Sequence, residues 1–229
     1  MSIKITFNKN LSHKSVKNYV FFCDHDFRIY GFNKLQISEQ SPLINKTINS
    51  NKSKDKKILL FNLNPDQRII LIKIKKALSS TDNEKKGANF YNFLKSNQIF
   101  DSTFFEENIK DVAAKNKLFI NEFFHGLELK SYEFDKYKST KKKETFDIIV
   151  KIKTKYFDQK NNKRFNSLLE GTNLTKDLVS EPGNVLHPDE YAKRITQLKK
   201  YGLKVTVYNE KKLKKLGMNA LLGVGQGSI

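Results

Sequence analysis

Cys23-Asp24-His25-Asp26 is the one place in the sequence where side chains that commonly ligate metals crowd together. A structural zinc site takes four ligands in a tetrahedron, and four adjacent residues at a strand end point alternately to opposite sides. The run would therefore need distant partners, and no second His/Cys cluster exists to supply them. A turn beside a core cysteine is the expectation. The four histidines, His13, His25, His125 and His187, are spread along the chain. Cys23 is the single cysteine, which excludes an internal disulfide, and nothing in the spacing orients a histidine against it as a nucleophile pair. His125, beside Gly126, reads as a packing or hydrogen-bonding side chain, and His187, before Pro188, as a turn residue at a helix N-terminus. Gly223-Val-Gly-Gln-Gly-Ser228 is spaced G-x-G-x-G rather than G-x-G-x-x-G, so it reads as a tight crossover into a following strand and not as a nucleotide loop. Glu181-Pro182-Gly183-Asn184 reads as an architectural turn. From these groups no residue is assigned as catalytic, substrate-binding or metal-ligating.

The elements that must position these groups follow from apolar periodicity and its punctuation. Apolar runs predict strands over Ile3–Phe7, Asn18–Phe22, Lys57–Phe61 and Arg68–Ile74, and later over Thr103–Glu106 and Phe146–Ile152. Between them lies a helix with Phe90, Phe93 and Leu94, for which Asp82 is the expected cap. A second helix, from Ile109 to Leu129, carries Val112, Ala113, Phe119, Phe123 and Leu127. Ile48–Lys57 is polar and lysine-rich and is expected to form a mobile loop. The polar stretch Lys153–Lys163 is the expected domain boundary.

Beyond it, a helical pattern from Asn162 to Ser180 aligns Phe165, Leu168, Leu169, Leu178 and Val179. Pro182 stops that helix, because proline lacks the N–H and clashes with the preceding turn. Pro188 at a first helical position, Asp189 and Glu190 in the first turn, Lys199 and Lys200 in the last and Gly202 as a left-handed cap predict a helix over 188–201. Leu203-Lys-Val-Thr-Val-Tyr208 alternates and is β-branched, which predicts a strand. Asn209 then caps a short helix over Glu210–Leu216 that closes at Gly217.

Several of these segments resemble a known family. Asp177-Leu-Val-Ser-Glu-Pro-Gly-Asn184, the His187-Pro188 helix start, Gly202-Leu-Lys-Val and Leu216-Gly-Met-Asn-Ala-Leu-Leu-Gly-Val-Gly-Gln-Gly-Ser228 are similar to the start of the catalytic domain in leucyl aminopeptidases, the two-metal cytosol aminopeptidases. Upstream, Phe124-His-Gly-Leu-Glu-Leu-Lys-Ser-Tyr-Glu-Phe-Asp-Lys-Tyr-Lys138 resembles a segment near the end of that family's N-terminal domain. The similarity covers roughly residues 110–229. It implies an N-terminal macro-domain-like three-layer α/β domain over 1–155, a linker helix over 156–181, and the start of an incomplete α/β/α aminopeptidase domain over 182–229.

The resemblance also implies a chemistry. The complete family enzyme is a metallopeptidase that removes N-terminal residues from peptides, using two divalent metals, zinc or manganese, to activate a bridging water. A lysine, three aspartates and a glutamate hold those metals in motifs resembling Lys-Gly-x-x-Phe-Asp-Thr-Gly-Gly and Asn-Thr-Asp-Ala-Glu-Gly-Arg. A second lysine and the arginine of the latter motif assist. Neither motif occurs between Met1 and Ile229. The expectation is therefore a truncated aminopeptidase sequence with no cofactor of its own, inactive alone. Family members assemble as homo-hexamers, some bacterial members also bind DNA, and a partner polypeptide that supplies the missing half is a further reading.

Forty-three Lys+Arg against twenty-four Asp+Glu give a net charge of +19, enough to attract polyanions by counterion release. The alternative function is accordingly a nucleic-acid-binding or regulatory module built on the basic N-terminal domain. The excess is mostly lysine scattered over many segments, Lys54, Lys85, Lys141–Lys143, Lys211, Lys212, Lys214 and Lys215 among them, beside many asparagines and no tryptophan. An AT-rich coding bias yields that composition, and arginines that would read base edges are few. Weak, non-specific nucleic-acid binding is the expectation. No run of eighteen apolar residues appears, so no membrane span is expected, and the alternating start Met1-Ser-Ile-Lys-Ile-Thr-Phe lacks the layout of a signal peptide. With a single cysteine, a cytoplasmic protein is the expectation.

Overall fold

The computed structural model describes residues 3–7, 16–51, 56–75, 79–113, 116–139, 148–153 and 159–227. The chain divides into two compact units, Met1–Thr172 and Asn173–Ile229.

In the first unit, continuous apolar runs form a sheet whose central strands are buried on both faces, as strands covered by helices require. Its strands are β1 (Ile3–Phe7), β2 (Asn18–Cys23), β3 (Ile58–Asn62), β4 (Arg68–Lys73), β5 (Asp101–Phe105) and β6 (Ile148–Lys153), in the order β1-β6-β5-β2-β4-β3. Neighbours are parallel except β3, which pairs antiparallel with β4 through a hairpin closed by Leu63 N–H to Gln67 O. All six predicted strands are present, each within about two residues of its expected ends.

Strand alternation divides the core between two layers. Val20, Phe22, Ile70, Ile72 and Phe104 face one side, where they meet α2 (Ser80–Ser96), α3 (Glu106–Ala113) and α4 (Phe119–Ser131) through Phe90, Leu94, Ile109, Phe119, Phe123 and Leu127. Tyr19, Phe21, Cys23, Ile69, Leu71 and Phe105 face the other, where Ile44 and Ile48 of α1 (Ser41–Asn51) cover them with Leu35 and Ile37. Helices on both sides of one sheet make this a three-layer α/β unit. Aromatic rings dominate the first layer. Phe22 meets Phe119 and Phe123 edge-on, with centroids 5.0 and 5.2 Å away.

Helices α2 and α4 come together at two glycines. A Cβ on Gly87 would lie 1.8 Å from the Phe123 carbonyl oxygen, and one on Gly126 would lie 2.0 Å from that of Glu84. The backbones therefore touch where each helix lacks a side chain.

Local expectations fail where a neighbour or a cap decides the outcome. Ser79, not Asp82, caps α2: its Oγ accepts the Asp82 N–H at 3.1 Å and donates to the Asp82 carboxylate at 2.8 Å. The single helix expected over Ile109–Leu129 is two, α3 and α4, because Asn116 turns the chain, its Oδ1 accepting the Leu118 N–H at 2.9 Å. The loop expected over Ile48–Lys57 begins inside α1, whose last turns bury Ile48. His13, Lys54 and Lys141–Lys143 lie outside the described residues, as does part of the expected boundary Lys153–Lys163.

The second unit is helical. Helix α5 (Gln159–Ser180) runs into it and ends before Pro182, whose carbonyl accepts the Val185 and Leu186 N–H groups in the expected turn. Helix α6 (Pro188–Thr196) has proline in its first turn and continues as a 3-10 turn to Tyr201, so the helix expected over 188–201 tightens at its end, where Gly202 takes φ +82°. Asn209 caps α7 (Glu210–Lys215), accepting the Lys212 N–H at 3.0 Å, and Gly217 follows at φ +69°. The strand expected over Leu203–Tyr208 is not formed: the segment is exposed and pairs with no described strand, and alternation without a partner does not make a sheet. Gly223, Gly225 and Gln226, expected in a crossover, lie in helix α8 (Asn219–Gln226), and Ser228 lies outside the described residues.

Candidate functional site

The carboxyl ends of the parallel strands are where an open α/β sheet presents its loops to a ligand. Strand β2 ends there at Cys23, which is fully buried, and burial together with Asp24 drives its thiol pKa upward, against the opposing pull of Lys73 and Lys86. Cys23 is thus a protonated core residue and not a nucleophile. The alternation ends at that point and the chain turns: Asp24 Oδ1 accepts the N–H groups of Asp26 at 2.8 Å and Arg28 at 2.9 Å, and Phe27 sits at φ +64° with its ring buried. This turn brings one ligand atom from each of Asp24, His25 and Asp26 within 4.8 Å of one another, which strand geometry had not foreseen. Cys23 stays in the core, apart from them. His25 and Asp26 are exposed and 3.2 Å apart.

Beside the turn, lysines gather. Lys73 Nζ stands 4.2 Å over the Phe27 ring, and the Lys73 N–H donates to the Lys57 carbonyl at 2.9 Å across the β3–β4 pair. Lys86, from α2, is half-buried and donates from Nζ to the Lys73 carbonyl at 3.1 Å. Burial lowers its pKa below the ordinary lysine value, and the charges of Lys57 and Lys75 lower it further. Asp82 and Cys23 act in the opposite sense.

Between β2 and β5 the same end of the sheet is plugged. Register pairs the two strands only at Tyr19–Thr103 and Val20–Phe104. Past that point buried Asn108 of α3 takes the place of a strand: its Oδ1 accepts the Phe22 N–H at 2.7 Å, and its Nδ2 donates to the carbonyls of Phe22 at 2.9 Å and Tyr30 at 2.7 Å.

A polar seam lies between α2 and α4. Buried His125 joins Glu84 through Nδ1 at 2.8 Å and packs its ring against Phe165 of α5, so it does both things its sequence context suggested. Buried Glu122 accepts from Asn83 at 2.6 Å. Glu128, one turn beyond His125, has its pKa raised to about 7 by burial alone. In the second unit, His187 is the N-cap residue of α6 and makes no side-chain capping bond. Arg194 ties the two sides of the Pro182 turn together, with Glu181 at 2.8 Å and Glu190 at 2.9 Å. No group of three metal-ligating side chains occurs among the described residues of 173–229.

The family model for the cytosol aminopeptidase catalytic domain matches residues 173–229. Over that stretch the chain is similar to the cytosol aminopeptidase family. Probable cytosol aminopeptidases from Phytoplasma mali and a Bradyrhizobium species are 42% and 43% identical to it over 115 and 107 residues. Those matches cover 48% and 45% of this chain but only 23% and 21% of the relatives, so the matched stretch spans less than a quarter of their length. Among solved structures, a tomato leucine aminopeptidase mutant superposes with a TM-score of 0.70 at 18% identity, over 94% of this chain and 46% of that one. The bottromycin maturation enzyme BotP in complex with Mn gives 0.58 at 14% identity, over 89% and 40%. At these identities the structural likeness concerns fold, and the fold is that of a leucine aminopeptidase in part. Sequence reasoning missed the lysines at the strand ends and the plug Asn108, because both arise where separate segments meet in space.

Proposed function

We propose that this chain is the N-terminal domain, linker helix and opening of the catalytic domain of a metallo-aminopeptidase, with divisions at 1–155, 156–181 and 182–229. The match of residues 173–229 to the family's catalytic domain carries this reading. In the complete enzyme, two divalent metals, zinc or manganese, would supply a polarised carbonyl and an activated water for hydrolysis of N-terminal residues from peptides. The residues present here do not fit such a centre. In 173–229 the acidic side chains Glu181 and Glu190 are held by Arg194, and neither metal-binding motif occurs in the sequence.

The 229-residue chain alone is therefore an inactive aminopeptidase segment, and hexamer assembly belongs to the complete protein. A cytoplasmic location follows from the relatives' designation, and no described helix is long and apolar enough to cross a membrane. The net charge of +19 supports a weak, salt-sensitive attraction to nucleic acids as the alternative role. Purified 1–229 supplied with Zn²⁺ or Mn²⁺ should leave leucyl chromogenic substrates uncleaved above background. Metal-dependent turnover that persists through repurification would overturn the reading.

A further inference from the structure

The amino end of the sheet, opposite the Cys23 turn, carries a cavity of about 1100 Å³ between the start of β2 and the β3–β4 turn. Lys17, Asn62, Asn64, Asp66, Gln67 and Arg68 are on its wall. Local hydrogen bonds fix that wall. Asn64 Oδ1 accepts the Asp66 N–H at 3.0 Å, and Asn64 Nδ2 donates to Gln67 Oε1 at 2.8 Å. Gln67 Nε2 in turn donates to the Val16 carbonyl at 3.0 Å and to the Tyr19 hydroxyl at 3.2 Å, so the turn and the β2 entry form one pinned surface.

Arg68 is the informative residue. Register sets it between Asn18 of β2 and Asn62 of β3. Asn18 is 3% exposed, and its Oδ1 accepts the Arg68 Nε–H at 2.8 Å. The acid beyond it, Asp101, is engaged by Asn18, whose Nδ2 donates to the Asp101 carbonyl at 3.0 Å and to its carboxylate. A neutral buried amide therefore aims the guanidinium, and the described residues give neither Arg68 nor Lys17 an ion-pair partner. With Nε engaged, Arg68 retains its two Nη groups, a planar fork that matches the two oxygens of a carboxylate. Lys17 and Arg68 against Asp66 leave the wall one net positive charge, which suits a single carboxylate and not a multiply charged phosphate.

We propose that this cavity binds a singly charged carboxylate, supplied by a peptide C-terminus or by a small organic acid. Arg68 grips its two oxygens, Lys17 adds attraction from the exposed entry of β2, and the Asn62 amide, on the adjoining strand, offers both a donor and an acceptor to the group behind the carboxylate. The site lies wholly in the first unit and does not depend on the aminopeptidase reading.

The test titrates the full 229-residue chain with N-acetyl-trialanine, with its C-terminal amide, with acetate and with inorganic phosphate, at near-physiological salt, and follows side-chain N–H signals by NMR. The free peptide acid should shift the Arg68 Nε–H and Asn62 amide signals, and its C-terminal amide should bind at least about tenfold more weakly. R68Q should weaken the acid at least about tenfold, D66N should tighten it, and R164Q, on α5, should change affinity less than about twofold. The signal shifts are read on the wild-type chain, so they stand even if R68Q folds poorly. Acetate binding as tightly as the peptide acid assigns the ligand to small organic acids, and tighter peptide binding assigns it to a C-terminus. Equal binding of acid and amide, tighter binding of phosphate, equal weakening by R68Q and R164Q, or no binding of any probe would overturn the site.

Discussion

The two units of this chain treat apolar side chains in opposite ways. In 1–172 a six-stranded sheet between helices leaves Phe123, Phe104 and Ile70 with no exposure at all. In 173–229 no described residue is buried, and Val224 is 77% exposed with Tyr201, Leu203, Val207 and Leu221 also open to solvent. Hydrophobic content does not separate them, since α8 is as apolar as many core segments. The difference is whether a sheet is present to receive the apolar faces, and it teaches that caps and turns can shape a segment that has no core of its own.

The sharpest way to break this comparison is to add the same side chain in both units. Gly126→Val places a side chain into the Glu84 carbonyl and should destabilise the first unit by at least about 4 kcal/mol, enough to leave it unfolded by circular dichroism. Gly183→Val, where no atom lies within 4 Å, should leave its melting unchanged. Equal effects would show that the two units share one core. Truncation gives the next largest contrast. Phe123→Ala should cost about 3–5 kcal/mol in denaturant unfolding, whereas Leu221→Ala, at an exposed position, should stay within about 0.5 kcal/mol.

A pH series sharpens the comparison within the first unit. The Glu128 carboxyl is raised to about 7 in the folded state, so the fold holds its proton more tightly than the unfolded chain does. Its contribution is therefore present below the ordinary carboxylate pKa and is lost as pH rises toward 7. Between pH 5 and 8 the first unit should lose stability on the order of 2 kcal/mol from this group. Glu128→Gln should flatten that slope and raise stability at pH 8, and an unchanged slope would assign it to other groups. The smallest effect is expected in the second unit. Asn209→Ala removes the bond to the Lys212 N–H and should lower local helicity of α7 by about 1 kcal/mol, read by amide exchange, with no change in the melting of the first unit.

Much of this architecture was legible in the chain. The strand runs, the Pro182 stop, the Pro188 helix start, the Gly202 cap and the Asn209–Gly217 helix are local devices, each set by one residue's backbone freedom or hydrogen-bonding group. The likeness to cytosol aminopeptidases was legible too, because its segments are contiguous words. What failed was non-local or competitive. Ser79 won the cap from Asp82, Asn116 split a helical pattern, and α1 formed in a stretch whose polar face hid Ile44 and Ile48.

By itself the sequence determined the six strands of the first unit, the helices α5 to α7, the alternation that assigns Phe21 and Phe22 to opposite layers, and the absence of the family's metal motifs. Tertiary structure alone decided which of those elements found partners. Leu203–Tyr208 has the alternation of a strand and pairs with no described strand, while Asn108, unremarkable in sequence, replaces a strand at the end of β2. It also decided that Lys57, Lys75 and Lys86, separated along the chain, feel one another's charge. The physical reason is common to all three. Backbone pairing and charge proximity depend on the distance between segments in space, and that distance is set when the sheet closes, not by any residue's own preference.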